Sequence, residues 1–252
     1  MRAAKMVTGF AVAILLTVAA PAGADILPVG LWSLNEGKGT VANDYSGHHN
    51  NGSLEGLAQW TRGRFQGAVA FNGSTAAVQV PDSPSLEPAA VSVSAWVDGS
   101  ASPGIYRYIV AKGANGCSAA SYGLYTGGNG GLEFYVSTDN GLSWTLSPDA
   151  GQSVWNGQWH NVVGTYDGAN VRLYVDGQQV GSGTPHTAPI AYGLPTSNNL
   201  AIGAYPWCPE SDFTGNIDEV KVFNRALDPR EVALGAGLSR LLPTSFPFDL
   251  IL

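Results

Sequence analysis

The segment WHNVVGTYDGANVRLYVDG, residues 159–177, concentrates side chains that could do acid–base chemistry. His160 is of the residue type that serves as a general base, and Asp167 and Asp176 are of the type that serves as a second acid or as the partner of a base. Two carboxyl groups can share one glycosidic bond only when they lie within roughly 5–10 Å of each other. Whether these side chains act together therefore depends on the local fold.

Apolar and polar residues alternate in this segment from Val171 to Val175, which is the pattern of a half-buried β-strand. Asp167 and Asp176 are each followed by glycine, and an Asp-Gly pair predicts a tight turn because glycine adopts positive φ without steric cost. The segment is therefore predicted to be a β-meander with the two aspartates at opposite ends of one strand. We interpret it as scaffold, in which His160 supports the sheet by hydrogen bonding.

Other sequence patterns give little support for catalysis. The sequence contains neither a G-x-S-x-G nor an H-E-x-x-H motif. The nearest approach to paired carboxylates is Glu210-x-Asp212, which follows the segment PWCP and is expected in a loop. A polysaccharide lyase would need a Tyr or His base beside a group that neutralises a uronate. Residues of suitable type are present, but their spacing in the sequence does not form a recognisable motif. They are Tyr106, Arg107, Tyr108 and His186. A glycoside hydrolase or lyase is therefore retained as the alternative function.

The N-terminal segment has the pattern of a secretory signal peptide. Arg2 and Lys5 precede an apolar run from Val7 to Ala20, and Ala-Gly-Ala at 22–24 is a small-residue cleavage pattern. We predict a signal peptide at 1–24, cleavage after Ala24 and a secreted protein. The run is shorter than the roughly 20 residues that a membrane span needs, and no later segment qualifies, so no membrane span is expected.

The charge balance excludes one class of partner. The chain has 12 basic and 19 acidic residues, for a net charge of −7. It has no cluster of Lys and Arg, and a nucleic-acid partner is not expected, because phosphate neutralisation needs a positive face.

The composition favours short strands joined by turns. The chain contains 33 glycines and 15 prolines, and only 12% of its residues are charged, which is poor material for helices. Alternating strand-like segments separated by turn residues predict two packed antiparallel sheets in one domain, residues 25–238. One helix is expected late, because Asp228, Pro229 and Glu231 have the spacing of a capping box. The apolar tail at 239–252 is expected either to cover a sheet edge or to remain loose.

Two cysteines provide a candidate ligand site. The chain has two cysteines, Cys117 and Cys208. Because an even number of cysteines in an oxidising compartment favours pairing, we expect them to form one disulfide. Aromatic residues close to them in sequence would gather on one rim, where sugar C–H faces stack on rings and polar side chains bind hydroxyls. Alternatively, these aromatics fill the core or cover the disulfide. The candidate ligand-binding residues are Tyr122, Tyr205, Trp207, Glu210 and Asp212.

Three segments resemble one known family. NGQWHNVVGTYDGANVRLYVDGQQVGSG is similar to the central signature of laminin-G-like domains in the concanavalin A-like lectin/glucanase superfamily. GLWSLNEGKGTVANDYSGHHNNGSL, followed by GRFQGAVAFNGSTAAVQVPDSPSL, resembles the opening of those domains, and FTGNIDEVKVFNRALDPREV resembles their end. The resemblance runs from about Val29 to Leu238 and implies an all-β, two-sheet jelly-roll sandwich. Because the fold hosts lectins, carbohydrate-binding modules, glycosidases and lyases, it implies much less about function.

The resemblance also implies a structural calcium ion at one edge of the sandwich. The matching carboxylates are Asp44 in NDYSG and Asp218 in GNIDEV, with Glu36 as a third oxygen ligand. Ca²⁺ takes six to eight oxygen ligands, including backbone carbonyls. Alternatively, Asp44 only caps its own turn, as Asx residues do, and Asp218 pairs within the sheet.

These observations favour a secreted, non-catalytic carbohydrate-binding or extracellular adhesion module. A polysaccharide or other glycan is the expected ligand, and an extracellular protein partner is a further alternative.

Overall fold

The computed structural model describes residues 27–238, so the predicted signal peptide at 1–24 and the apolar tail at 239–252 lie outside the described residues. Within that range the chain forms seventeen strands and one α-helix. The elements are β1 Gly30–Trp32, β2 Val41–Ala42, β3 Gly52–Glu55, β4 Gln59–Phe65, β5 Gly67–Asn72, β6 Ala77–Val80, β7 Val91–Asp98, β8 Tyr108–Ala114, β9 Tyr122–Tyr125, β10 Glu133–Thr138, β11 Ser143–Leu146, β12 His160–Tyr166, β13 Asn170–Val175, β14 Gln178–Gln179, β15 Thr184–Pro185, β16 Ser197–Ile202, β17 Thr214–Phe223 and α1 Pro229–Gly235.

The strands form two antiparallel sheets, which confirms the predicted sandwich. The nine-stranded sheet has the order β14-β13-β12-β7-β17-β5-β4, with β1 paired to β17 and β15 paired to β13. The eight-stranded sheet has the order β11-β10-β9-β8-β16-β6-β3-β2. Their facing sides bury one continuous apolar core, because successive side chains of a strand point to opposite faces. Core residues from both sheets include Trp32, Val93, Ile109, Leu124, Phe134, Leu173 and Ile217.

The segment at 159–177 is scaffold, as predicted. It forms β12 and β13, and Thr165 pairs with Arg172 across the two strands. The Nδ1 atom of His160 lies 2.7 Å from an oxygen of Asp176, and its Nε2 atom lies 3.1 Å from the side-chain oxygen of Asn156. The imidazole is therefore held between two acceptors, and it joins β12 to the turn after β13.

The helix begins with the predicted capping box. The carboxylate of Asp228 accepts hydrogen bonds from the backbone N–H groups of Arg230 and Glu231, and the side chain of Glu231 accepts one from the N–H of Asp228. Val232 packs with Val163 and Tyr174 on the outer side of the nine-stranded sheet. In the described part of the chain, no helix has both the length and the apolar character to cross a membrane.

The eight-stranded sheet is apolar on both faces at one end. Phe134 belongs to the main core, whereas its neighbour Tyr135 belongs to a second buried cluster on the outer face. Tyr108 and Tyr125 are paired across β8 and β9 in the same outer cluster. This face is where the candidate site lies.

Candidate functional site

A disulfide joins two loops above the outer face of the eight-stranded sheet. Cys117 lies between β8 and β9, Cys208 lies between β16 and β17, and their Cα atoms are 5.6 Å apart. The predicted pairing is therefore confirmed. The bond brings the loop that contains Tyr205 and Glu210 to the edge of the outer cluster.

A cavity of about 470 Å³ opens beneath these loops, and six of its eleven lining residues are aromatic. We call it the tyrosine cavity, and its lining residues are Tyr106, Tyr108, Cys117, Ser118, Ala119, Tyr125, Tyr135, Trp144, Tyr205, Glu210 and Ser211. Its volume lies in the range of about 300–1,000 Å³ that is usual for small-molecule sites.

The floor of the cavity is a packed set of tyrosine rings. The rings of Tyr108 and Tyr125 stack with centroids 5.2 Å apart, and Tyr205 lies 4.7 Å from Tyr108. Gly123 makes this packing feasible, because a Cβ atom there would lie 2.6 Å from the ring of Tyr135 and 2.9 Å from that of Tyr108. A side chain at this position would push the floor apart.

The hydroxyl groups of the floor remain protonated. Burial raises the pKa of Tyr108 and Tyr135 well above the ordinary tyrosine value, and it raises the pKa of Tyr205 to about 12. Because a proton-abstracting tyrosine needs an accessible phenolate near neutral pH, these groups are suited to hydrogen bonding rather than to catalysis as bases. Within residues 27–238, the buried hydroxyl of Tyr205 has no acceptor for its proton.

Two further aromatic side chains stand beside the floor and remain accessible. Tyr106 is 51% exposed and stacks on Tyr125 at 6.4 Å, and Trp144 on β11 is 46% exposed. An accessible ring at the mouth of a cavity is a surface on which the apolar C–H face of a sugar can stack.

The polar residues predicted on this rim take different positions. Glu210 lines the cavity, but Asp212 does not. Asp212 is buried, and its carboxylate accepts a hydrogen bond from the N–H of Tyr205 at 3.4 Å. Burial raises the pKa of Asp212 to about 6, while nearby Arg107 opposes this rise. Asp212 therefore positions the loop, and the pair Glu210-x-Asp212 does not present two carboxylates to one ligand.

The two remaining aromatic predictions have different outcomes. The prediction that Tyr122 lies on the rim is wrong, because its side chain is fully buried in the main core and its hydroxyl donates to the carbonyl of Leu86 at 3.0 Å. Tyr122 and Tyr125 are three positions apart on β9, and an odd separation places two side chains on opposite faces. Trp207 is 62% exposed in the disulfide loop but does not line the cavity.

The residues considered for a lyase do not converge. Tyr106 and Tyr108 line the cavity, whereas His186 does not. The Nδ1 atom of His186 lies 2.9 Å from the hydroxyl of Thr145, and its ring packs on Tyr166 at 5.5 Å. The Nη1 atom of Arg107 donates to the backbone carbonyl of Asp212 at 3.4 Å.

Asp44 does not fit the role of a calcium ligand. Its carboxylate accepts four hydrogen bonds, from the N–H groups of Leu31, Ser46 and Asn50 and from the hydroxyl of Ser46, at 2.8–2.9 Å. A carboxylate offers about four lone-pair sites, so these donors leave no position for a metal. Asp44 thus organises its own turn, which is the other role that the sequence allowed.

Asp218 and Glu36 do have oxygens that could bind a cation. Asp218 is fully buried, and its Oδ2 accepts from the N–H of Phe65 at 2.9 Å, whereas its Oδ1 has no hydrogen-bond partner among the described residues. Burial raises the pKa of Asp218 to about 6. The Oε1 of Glu36 accepts from Asn43 at 2.8 Å, and its Oε2 is likewise buried and unpartnered in the described range. Backbone N–H groups of Phe65, Glu219 and Arg64 oppose the rise in the pKa of Asp218, and the two unpartnered oxygens are of the type that a hard cation takes.

These features define a single β-sandwich of jelly-roll type with an aromatic cavity on the outside of one sheet. The family profile described as the concanavalin A-like lectin/glucanases superfamily, laminin G type, matches residues 72–233. The chain therefore belongs to this superfamily, which confirms the resemblance read from its sequence. No curated protein sequence matches the chain.

Solved structures show the same fold at low sequence identity. Domain 4 of AbnA, a GH43 extracellular arabinanase from Geobacillus stearothermophilus in complex with arabinotriose, is 20% identical with a TM-score of 0.64, over 83% of this chain and 98% of that one. The binding domain of Paraclostridial Mosquitocidal Protein 1 is 13% identical with a TM-score of 0.65, over 83% of this chain and 52% of that one. A structure of botulinum neurotoxin type C, whose cell entry depends on two ganglioside molecules, is 13% identical with a TM-score of 0.62, over 84% and 51%. The chain spans about half the length of these two toxin structures.

Proposed function

We infer that this protein is a non-catalytic carbohydrate-binding module whose ligand occupies the tyrosine cavity. The observation that carries this conclusion is the cavity lining: six aromatic side chains, of which Tyr106 and Trp144 are accessible, surround a space of about 470 Å³. Aromatic rings with a few convergent polar groups are the usual composition of a site for a small, partly apolar ligand.

The chemistry of the lining suits a sugar. The rings of Tyr106 and Trp144 offer stacking surfaces, while the hydroxyls of Ser118 and Ser211 and the carboxylate of Glu210 offer hydrogen-bonding groups at the wall. Tyr205 also lines the cavity, and its buried hydroxyl has no acceptor among the described residues, so we assign a ligand hydroxyl as that acceptor. The raised pKa values of the floor tyrosines and the burial of Asp212 favour binding over turnover.

Similar structures support the same class of ligand. The arabinanase domain was solved in complex with arabinotriose, and entry of botulinum neurotoxin type C depends on gangliosides. Both ligands carry sugars. We propose that this chain also binds carbohydrate, but we assign neither of these two ligands to it.

Secretion is part of the proposal. The disulfide between Cys117 and Cys208 supports an oxidising compartment, because such bonds are rare in reducing ones. A secreted module could also serve as an adhesion domain for an extracellular protein, and the experiment below separates that case.

A structural calcium ion is the second part of the proposal. Asp218 and Glu36 would supply carboxylate oxygens, and backbone carbonyls would complete the coordination. The ion would neutralise buried negative charge at the end of β4, where Asp218 accepts from the N–H of Phe65. It has no assigned part in ligand binding.

The test is a glycan array followed by calorimetry on Trp144→Ala. Loss of the stacking surface should weaken glycan binding about tenfold, whereas Tyr45→Ala, which removes an exposed aromatic residue outside the cavity, should leave it unchanged. Incubation with the bound glycan should release neither reducing ends nor unsaturated products. Turnover would instead establish an enzyme, and binding to a protein alone, unaffected by Trp144→Ala, would establish an adhesion module.

A further inference from the structure

Glu210 is the charged side chain among the eleven residues that line the tyrosine cavity. A carboxylate oxygen of Glu210 lies within 4.8 Å of the sulfur atoms of both Cys117 and Cys208. Because the disulfide ties together the two loops that form this wall, it places a negative charge at the side of the cavity.

Among residues 27–238, no Lys, Arg or His nitrogen forms an ion pair with Glu210. The nearby guanidinium of Arg107 faces Asp212: its Nη1 donates to the carbonyl of Asp212, and its charge opposes the rise in the pKa of that carboxyl. The other polar groups at the wall, the hydroxyls of Ser118 and Ser211, are neutral.

A second carboxylate adds to the negative potential from the floor. Glu133 on β10 accepts a hydrogen bond at 3.2 Å from the hydroxyl of Tyr125, which belongs to the floor. A ligand carboxylate or sulfate in the cavity would therefore approach like charges, and because Glu210 is exposed, salt would screen the Coulomb repulsion between them. Repulsion of this kind is an effective way to reject one class of ligand.

We propose that the tyrosine cavity accepts neutral sugar residues and rejects anionic ones such as uronates, and that Glu210 is the residue that determines this specificity. The inference rests on the proposed function, because it names the class of sugar that the same cavity binds. Neutral hydroxyls hydrogen-bond to Glu210 as an acceptor, whereas the described residues that line the cavity include no Lys, Arg or His to pair with a ligand anion.

The experiment compares two matched pools of oligosaccharides by competition binding to the mature protein. One is a neutral pool, and the other is the same pool with its primary hydroxyl groups oxidised to carboxylates. The neutral pool should bind at least fivefold more tightly at 50 mM salt, and the difference should shrink at 500 mM salt because exposed charges are screened. Glu210→Gln should shrink the difference between the two pools severalfold, because it removes the repulsion of the oxidised pool and replaces the carboxylate that accepts from neutral hydroxyls with a weaker amide acceptor. Glu55→Gln, an exposed carboxylate outside the cavity, is the matched control and should change neither.

The outcomes distinguish failure of the proposed specificity for neutral sugars from failure of the proposed carbohydrate-binding function. If both pools bind equally, or if Glu210→Gln leaves the difference intact, the proposed rejection of anionic sugars by Glu210 is wrong, while the carbohydrate-binding function stands. If neither pool binds, the proposed function is wrong and the inference falls with it.

Discussion

The hydroxyl oxygens of Tyr108 and Tyr135 lie 2.8 Å apart on the floor of the tyrosine cavity. Tyr135 also accepts a hydrogen bond at 2.7 Å from the backbone N–H of Ala120. Each of these two hydroxyls therefore has a hydrogen-bond partner within the protein, whereas the proton of the Tyr205 hydroxyl has no acceptor in the described residues. The floor is fixed before a ligand arrives, which reduces the entropy cost of binding.

Tyr205→Phe should separate binding from stability. Removing a buried hydroxyl that lacks a full set of hydrogen bonds should leave the free energy of unfolding unchanged or raise it by up to about 1 kcal/mol. Affinity for the glycan should nevertheless fall, because the hydroxyl that we assign to the ligand is lost. In the matched variant Tyr135→Phe, two internal hydrogen bonds are lost and stability should fall by about 1–2 kcal/mol. Denaturant unfolding and calorimetry would measure both quantities, and unchanged glycan affinity in Tyr205→Phe would remove this hydroxyl from the site.

Gly123→Ala should damage the floor. The new Cβ atom would overlap the rings of Tyr135 and Tyr108, so we expect a loss of stability of about 1–3 kcal/mol together with weaker binding. Gly235→Ala is the control, because nothing lies within 4 Å of a Cβ atom at that helical position, and it should be neutral or slightly stabilising. Equal melting temperatures for the two variants would contradict the packing described for the floor.

Removing the disulfide should both destabilise the protein and loosen the site. For two cysteines 91 positions apart, the chain-entropy model gives a loss of about 4–5 kcal/mol for the double variant Cys117→Ser, Cys208→Ser. Because the bond holds one wall of the cavity, glycan affinity should also fall at temperatures where the variant is still folded. Binding measured at 10 °C would check this, and full affinity there would show that the wall does not depend on the bond.

Asp212→Asn should change how stability depends on pH. The folded-state pKa of Asp212, about 6, is above the ordinary value of 3.8, so the folded state binds the proton more tightly than the unfolded state does. Its contribution is therefore most favourable below about pH 4 and is lost as the pH rises through about 6. Relative to Asp212→Asn, the wild-type protein should gain on the order of 1–3 kcal/mol between pH 7 and pH 4. Parallel curves of unfolding free energy against pH for the two proteins would contradict this assignment.

Chelation should lower the melting temperature of the calcium-loaded protein. An ion bound only by the folded state at 100 times its dissociation constant contributes about 2.7 kcal/mol, and removing it should cost several degrees. Asp218→Asn should abolish the effect of chelation, whereas Asp44→Asn should retain it, because the Asp44 carboxylate is occupied by four internal donors. A melting temperature that does not respond to calcium or chelator would rule out the ion.

The fold could be predicted from the sequence because local signals agree with one another. The alternation from Val171 to Val175, the Asp-Gly turns and the capping box at Asp228 each depend on nearby residues alone, and each is present in the structure. The resemblance extended this reading to the whole sandwich. The disulfide could be predicted because the chain has one pair of cysteines and an oxidising compartment was expected.

The cavity was predicted only in part. Tyr205 and Glu210 are near the cysteines in sequence and do line the cavity, but the floor comes from distant strands. The pairing of Tyr108 with Tyr125 is fixed by strand order and register, which one sequence does not specify. One usable signal was the apolar character of both faces of β10: Phe134 and Val136 alternate with Tyr135, which indicates that the outer face is covered.

A crystal structure of the protein soaked with a pool of neutral oligosaccharides tests the central claim most directly. The account predicts sugar density in the tyrosine cavity, with a ring stacked on Trp144 or Tyr106 and a ligand hydroxyl within about 3 Å of the Tyr205 hydroxyl. Sugar density confined to another surface, such as the polar cleft lined by Asp98, Ser102 and Asn216, with the tyrosine cavity holding none, would contradict it.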